Sequence, residues 1–323
     1  MKRIINYYLI FIALSFSVIN AGEKVGTTSF QFLKLALDAR SAAMGNAFVS
    51  VANTSEAIYW NPAALRKVNG FDISLSYIDY FLDVNLFSGA VSFPMGDHSL
   101  GLFTIIVDYG NFEVTDVAHQ GWNENYTRFN PGLTGEIIKP NATVFGISYA
   151  YSATDKFNFG VTVKYIYENL VRAKTSAFAF DGGLTYETGW KSIKMGMSVR
   201  NFGYEIKFID EPYPIPETFT FGISAYVFSP YNSLFMQTSD HSLLISYDLM
   251  HPRDYDQQHN IGFEYSFKDF LFLRAGYKIN YDEEGLTLGF GVKTNKLRFD
   301  YAYDPFGSIL PTVHRFSIGF ELN

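Results

Sequence analysis

Residues 157–168 read Phe-Asn-Phe-Gly-Val-Thr-Val-Lys-Tyr-Ile-Tyr-Glu, and their pattern indicates the fold class. Apolar or aromatic residues alternate in it with residues that are mostly polar or glycine. Successive side chains of a β-strand point to opposite faces, so the pattern predicts a strand with one apolar and one polar face. The same period recurs at residues 286–293 and 297–304. The sequence therefore predicts an all-β fold.

The composition favours a membrane barrel over a soluble or helical protein. Aromatic residues make up 18% of the chain, with 32 Phe and 23 Tyr, and charged residues also make up 18%. That charged fraction lies below the usual quarter. The mean hydropathy is close to zero, as in barrels whose lipid-facing residues alternate with residues that face the lumen. A soluble β-sandwich shows the same alternation and is the alternative fold.

The alternating segments predict about 14 strands of roughly 9–13 residues, each long enough to cross a bilayer when tilted. Several apolar faces carry tyrosine at an end, as an interfacial aromatic girdle does. The predicted spans are 71–79, 84–94, 98–109, 141–153, 157–170, 176–188, 191–202, 216–228, 240–250, 259–267, 270–281, 285–294, 296–304 and 312–322.

The connections between these strands sort by parity. One set is short, at 96–97, 154–156, 189–190, 268–269 and 295, with 229–239 as its exception. The other set contains the long segments 110–140, 203–215 and 251–258. Outer-membrane barrels place short turns in the periplasm and long loops outside, so this sorting favours a 14-stranded antiparallel transmembrane β-barrel.

Two features predict that another part of the chain fills the barrel lumen. The third strand carries Ile105, Ile106 and Val107 in a row, which predicts packing against something in the lumen. Glycines also recur on the inward faces, either to clear space for a plug or to ease barrel curvature. These inward glycines are Gly146, Gly160, Gly183, Gly196, Gly222, Gly262, Gly276, Gly289 and Gly291.

The N-terminal residues differ in kind from the barrel. Residues 1–21 have a basic start, an apolar stretch and Ala21 at the expected cleavage point, which predicts a secretory signal peptide rather than a membrane-anchoring helix. Loss of Lys2 and Arg3 takes the net charge from −7 to −9, which argues against a nucleic-acid partner. The chain has no cysteine, so it has neither disulfides nor thiol chemistry.

Residues 22–70 predict a small N-terminal hatch inside the lumen of a barrel formed by residues 71–323. The small residues at 37–51 predict a helix, although Gly45 weakens this prediction. Asn61 and Pro62 predict a second short helix, with Asn61 as its cap and Pro62 at its first position. The segment is too short and polar to form a domain of its own.

This segment resembles the opening of the PorV/PorQ family of FadL-like outer-membrane proteins. The resemblance lies in residues 32–35, 39–48 and 57–65, and weaker similarities lie at 216–219, 274–277, 300–303 and 314–317. It implies a 14-stranded barrel with an N-terminal hatch in a bacterial outer membrane, surrounded by lipid. The hatch motif, with a structural or gating role, comprises Arg40, Gly45, Asn61, Pro62 and Ala63.

The sequence contains no constellation of catalytic residues, and we expect neither enzymatic activity nor a cofactor. The six histidines lie near turns and strand ends without the spacing of metal ligands. Arg40 must find a partner if it lies in a hatch, and a structural contact is favoured over a ligand contact. Its expected partners are the inward carboxylates Asp181, Glu187, Asp300 and Asp304.

The resemblance implies two functions. The first is a part in type IX protein secretion, in which the barrel binds cargo signal domains and associates with the translocon. The second is a FadL-like channel for hydrophobic small molecules such as fatty acids, which the polar inward faces disfavour. A purely structural barrel is a third interpretation. Exposed aromatic residues for an extracellular contact are expected at Phe112, Trp122, Tyr126, Tyr204 and Tyr213.

Overall fold

The computed structural model describes residues 26–307 and 310–322. The predicted signal peptide at residues 1–21 lies outside these residues. Within them, no helix is both long enough and apolar enough to cross a bilayer.

The strands are numbered in chain order. They are β1 (Phe71–Asp79), β2 (Asn85–Met95), β3 (His98–Asp108), β4 (Phe112–Trp122), β5 (Phe129–Ile138), β6 (Asn141–Thr154), β7 (Phe157–Asn169), β8 (Lys174–Glu187), β9 (Lys194–Gly203), β10 (Ile206–Lys207), β11 (Pro212–Tyr213), β12 (Thr218–Ser229), β13 (Met236–Gln237), β14 (His241–Pro252), β15 (Gln258–Phe267), β16 (Leu271–Ile279), β17 (Leu286–Lys293), β18 (Leu297–Asp304) and β19 (Val313–Leu322).

The wall is a closed antiparallel barrel. The main sheet contains 15 strands, and without the two-residue strand β13 the ring has 14. Strand β1 pairs with both β2 and β19, and β9 pairs with β12, which closes the ring. Strands β4 and β5 form a separate hairpin between β3 and β6. The predicted barrel is confirmed, and each predicted strand lies within a few residues of an observed one.

Side-chain burial alternates along the wall. On β7, Phe159, Val161 and Tyr165 are exposed on the outer face, whereas Thr162 and Lys164 are buried in the lumen. On β3, Phe103, Ile105 and Val107 point inward, and Ile106 points outward. The apolar inward face of β3 packs against the hatch, where the rings of Phe103 and Tyr59 lie 5.5 Å apart.

Histidine–tyrosine pairs lie near both ends of the wall. In each pair a hydrogen bond joins the histidine Nδ1 to a tyrosine hydroxyl on a neighbouring strand. The pairs are His98–Tyr149 (2.6 Å), His241–Tyr265 (2.7 Å), His259–Tyr247 (2.7 Å) and His314–Tyr301 (2.8 Å). This arrangement suits the interfacial girdles that flank the apolar band of a barrel.

The hatch fills the middle of the lumen with short helical turns. These are the 3-10 helices Gln31–Lys34, Ser55–Tyr59 and Pro62–Lys67 and the α-helix Ala39–Ala43. The predicted helix over 37–51 is wrong beyond Ala43, because Gly45 and Asn46 adopt left-handed backbone conformations with φ of 61° and 66°. The main hydrophobic core contains residues of these hatch turns together with residues of the inner wall.

Candidate functional site

Inward glycines form the seat of the hatch. A Cβ atom on Gly160 would lie 2.2 Å from the backbone nitrogen of Ala63, and one on Gly276 would lie 2.0 Å from that of Gly45. Real atoms do not approach so closely, so these positions let the hatch backbone touch the wall. Gly183, Gly196, Gly262 and Gly289 face other hatch atoms in the same way. Of the two sequence interpretations, space for a plug accounts for these glycines.

Polar contacts fix the hatch on the side of β8 and β14. The carboxylate of Asp248 accepts hydrogen bonds from the backbone amides of Phe48 (2.7 Å) and Val49 (2.8 Å). The side-chain amide of Asn61 donates to the carbonyl oxygens of Val49 and Leu184. Its oxygen accepts from the amide of Ala63, so Asn61 also caps the helix that begins at Pro62.

A buried ionic network fixes the hatch to the next strands of the wall, from β15 to β18. Arg40 donates from Nε and Nη2 to the two carboxylate oxygens of Glu264, each at 2.8 Å. Arg274 joins Glu264 (2.6 Å) to Asp300 (2.6 Å). The expectation that Asp181, Glu187, Asp300 or Asp304 pairs directly with Arg40 is wrong, because β15 places Glu264 opposite the hatch helix.

Glu56 of the hatch is buried with few partners. Thr54 donates to its Oε2 at 2.9 Å, and its Oε1 has no hydrogen-bond partner. Burial raises the pKa of Glu56 to about 8, and Arg298, whose Nη2 lies 3.9 Å away, offsets only part of this effect. Asp72 holds the same guanidinium more closely, at 3.2 Å. Burial therefore favours the protonated form of Glu56.

Two cavities lie on opposite sides of the hatch. The outer cavity, of about 520 Å³, opens among the loops at the ends of β1, β14, β16 and β18 and is largely apolar. The inner cavity, of about 750 Å³, opens among the short turns and contains the ionic network around Arg40, Glu264 and Arg298. By the rule that short turns face the periplasm, the outer cavity faces the cell exterior.

The start of the described chain reaches the outer rim of the barrel. Thr28 and Lys34 donate to one carboxylate oxygen of Asp254, at 2.7 and 2.9 Å. Burial alone would raise the pKa of Asp254, but these donors and Gln31 lower it overall. The hatch thus crosses the lumen from the outer loops to the periplasmic start of β1.

The residues expected at an extracellular contact are exposed on the loop side. Phe112, Trp122 and Tyr126 lie in the β4–β5 hairpin, where the rings of Trp122 and Phe129 pack 5.5 Å apart. Tyr204 and Tyr213 lie in the connection between β9 and β12, which separates them in sequence from the hairpin.

The loop side of the barrel is acidic. The connections 80–84, 109–140, 170–173, 204–217, 253–257, 280–285 and 305–312 carry 14 Asp and Glu against 5 Lys and Arg, a net charge of −9. The connections on the turn side carry 4 of each sign. An exposed aromatic surface with negative charge favours a partner with apolar and basic groups.

Sequence reasoning missed several residues of this arrangement. Glu264, Asp248 and Arg200 are buried inward residues that contact the hatch. A signal was available, because a charged residue on the inward face of a strand must have a polar neighbour in the lumen. Within residues 26–307 and 310–322, no group of three acidic or histidine residues is placed to hold a metal ion.

Several solved structures share this fold. The Ralstonia pickettii toluene transporter TbuX is 13% identical, covers 88% of this chain and 98% of its own, and superposes with a TM-score of 0.61. The Pseudomonas putida toluene transporter TodX is 14% identical, with 87% and 96% covered and a TM-score of 0.59. A Pseudomonas aeruginosa FadL homologue is 12% identical, with 94% and 100% covered and a TM-score of 0.52. At these identities the likeness shows the fold alone.

The sequence itself identifies the family. The family model described as type IX secretion system protein PorV matches residues 18–246, more than half of the chain. The chain belongs to the PorV family. It is an outer-membrane β-barrel protein of the bacterial type IX secretion family, and the resemblance seen in the hatch motif is confirmed. None of the curated proteins matches this sequence.

Proposed function

We propose that this PorV-family barrel receives an exported protein domain at the cell surface. The observation that carries the proposal is the exposed aromatic hairpin β4–β5, which stands beside a lumen filled by the hatch. The acidic charge of the surrounding loops supports a partner whose contact face carries apolar and basic groups. The signal domain of a secreted cargo protein is the partner that the family suggests.

The filled lumen supports a receiving role over a conducting one. The two cavities beside the hatch measure about 520 and 750 Å³. A folded domain of about 100 residues has a radius of gyration near 13 Å, far too large for either cavity. Cargo must therefore cross the membrane through another protein, and an association of this barrel with the translocon follows.

Photo-crosslinking in native membranes tests this proposal. A photoreactive amino acid replaces Trp122 in the hairpin or, as the matched control, Trp190, which is exposed at the opposite, turn-side end of the barrel. We expect Trp122 to yield adducts with exported proteins and Trp190 to yield none of them. Identical adducts from both positions, or none from Trp122, would contradict the proposal.

A second function, uptake of hydrophobic molecules, is supported by the apolar lining of the outer cavity. That cavity ends on the hatch, which separates it from the polar inner cavity. Passage would therefore require the hatch to move, although it is held by the contacts of Asp248, Asn61 and Arg40. The structure favours the receiving role for this reason.

A further inference from the structure

Basic side chains are gathered in one part of an otherwise acidic loop side. Three of the five Lys and Arg of the loop-side connections lie around the loop-side ends of β6, β7 and β8, and these are Lys139, Arg172 and Lys207. Lys174, at the start of β8, lies beside them. All four side chains are exposed. We call these four residues the basic sector, and its charge is opposite to that of the loop side as a whole.

Strand pairing brings three of the four cations together. Lys174 pairs with Asn169, the last residue of β7, and Arg172 lies in the turn that joins the two strands. Asn169 also pairs with Asn141, the first residue of β6. The side-chain amide of Asn141 donates to the carbonyl oxygen of Lys139 at 3.2 Å. Lys139, Arg172 and Lys174 therefore lie on the ends of three adjacent strands.

The connection between β9 and β12 adds the fourth cation. The hydroxyl of Thr175, the residue after Lys174, donates to the carbonyl oxygen of Lys207 at 3.2 Å. Lys207 belongs to the short sheet of β10 and β11, in which Ile206 is buried. Because neighbouring side chains of a strand point to opposite faces, the burial of Ile206 leaves Lys207 on the exposed face.

None of the four cations is neutralised by a carboxylate within the part of the chain that the structure describes. No carboxylate oxygen there lies within 4.0 Å of their side-chain nitrogens. Glu205, two residues before Lys207, contacts Arg253 instead, at 3.8 Å. Glu168, near the end of β7, is buried and accepts a hydrogen bond from Tyr109. The basic sector therefore keeps its positive charge for an anion from outside.

The basic sector lies where the lipid-facing wall meets the polar surface. Lys174 shares the outer face of β8 with Phe178 and Phe180, which are both exposed. The ring of Tyr165 packs on that of Phe178, with centroids 5.3 Å apart, as in an interfacial aromatic girdle. Four residues of strand separate Phe178 from Lys174, a rise of at most about 13 Å. The cations are therefore at the height of lipid head groups.

We propose that the basic sector binds the phosphate groups of a glycolipid in the outer leaflet, the lipid A anchor of lipopolysaccharide. Lysine and arginine form charge-assisted hydrogen bonds with phosphate, and clustered cations beside a membrane-spanning wall bind lipid head groups. The acyl chains lie along Tyr165, Phe178 and Phe180. An acidic protein would match the charge alone, whereas a lipid also matches the apolar wall below it. The site does not depend on the receiving role of the β4–β5 hairpin.

Native mass spectrometry of the full protein, released from detergent micelles, tests this site. The probes are bisphosphorylated lipid A, the same lipid with its phosphates removed, and inorganic phosphate. We expect bisphosphorylated lipid A to bind about tenfold or more tightly than the dephosphorylated lipid, the effect of one charge-assisted contact. Inorganic phosphate, which lacks the acyl chains, should not bind at the same concentration. Equal binding of the two lipids, or binding of inorganic phosphate as tight as that of lipid A, would overturn the proposal.

Two fourfold variants locate the contact, and each replaces four exposed cations by Gln. The first changes the basic sector, at Lys139, Arg172, Lys174 and Lys207. The matched control makes the same change in charge at the turn side, at Lys156, Lys191, Lys268 and Lys296.

The sector variant should lose the preference for bisphosphorylated lipid A, and the control should retain it. Urea unfolding without added lipid checks that both variants fold, and we expect the wild-type midpoint in the sector variant because no carboxylate pairs with its cations. Bisphosphorylated lipid A should then raise the midpoint of the wild type and the control but not of the sector variant. A preference that survives in the sector variant, or that the control loses equally, would contradict the proposed surface.

Discussion

A methyl group added at Gly160 tests whether the contact between the hatch backbone and the wall requires glycine. Its nearest atoms are the backbone of Pro62 and Ala63, which cannot rotate away as a side chain could. We expect Gly160→Ala to lower the free energy of unfolding by about 1–3 kcal/mol, the usual cost of overpacking. Urea unfolding in detergent micelles, followed by tryptophan fluorescence, measures the change.

Gly182 provides the matched control for this experiment. It lies on the neighbouring strand β8, and a Cβ atom added there would meet nothing within 4 Å. Gly182→Ala should leave the unfolding midpoint unchanged. If both variants shift the midpoint equally, strand propensity rather than contact with the hatch explains the glycines.

Glu56 makes the stability of the plugged barrel depend on pH. Its pKa is about 8 when folded and 4.5 in its ordinary state. A raised carboxyl pKa contributes stability that is complete below the ordinary value and is lost as the pH rises through the folded value. We expect the unfolding midpoint to fall between about pH 5 and pH 9, and Glu56→Gln to flatten this fall. The control variant Glu124→Gln, in the exposed hairpin, should keep the wild-type dependence of the unfolding midpoint on pH. If Glu56→Gln also keeps it, Glu56 is not the group responsible.

Arg40 shows how far the contacts of a single residue can be predicted from the sequence. Its place in a hatch predicts a buried polar partner, and the structure supplies Glu264. Which carboxylate pairs with it depends on how the hatch is rotated against strands more than 200 residues away. No local pattern carries that information. The buried position of Arg200 escaped prediction for a different reason, because the register between β8 and β9 shifts beside it.

The strands were predictable because each carries its own two-residue period and ends at turn residues. Gly96 and Asp97, for example, separate β2 from β3. The hatch was less predictable, since its short turns are stabilised by the wall and not by helix propensity. Asp72 of β1 illustrates this: its carboxylate accepts from the backbone amide of Ser55, the first residue of the 3-10 helix Ser55–Tyr59.

The four histidine–tyrosine pairs join neighbouring strands of the barrel wall. We expect replacement of His98, His241, His259 and His314 by Phe to keep the ring contacts and remove the hydrogen bonds. One hydrogen bond contributes about 0.5–1.5 kcal/mol net, so the fourfold variant should lose roughly 2–6 kcal/mol of stability in phospholipid vesicles. Urea titration in vesicles measures this loss. His251→Phe, outside the pairs, should change nothing, and an unaltered fourfold variant would show that the pairs carry no stability.

At the scale of the whole molecule, the barrel combines a filled lumen with an acidic, aromatic outer face. The barrel and its hatch could be predicted, because alternation, loop parity and the N-terminal motif agree with one another. The contact residues at 112, 122, 126, 204 and 213 were predicted to face outward, and their role in binding stays a proposal. The parity of the connections already predicts that these distant loops share one face of the molecule.

Removal of the β4–β5 hairpin tests whether it receives cargo at the cell surface. Residues 112–138 form a separate two-stranded sheet that contributes no strand to the barrel, so a variant with this segment replaced by Gly-Ser-Gly should keep the fold. The measurement is the fraction of a secreted cargo protein found outside the cell and in the periplasm. We predict that the shortened protein is inserted normally while cargo accumulates in the periplasm. Normal export with the hairpin absent would show that the hairpin does not receive cargo.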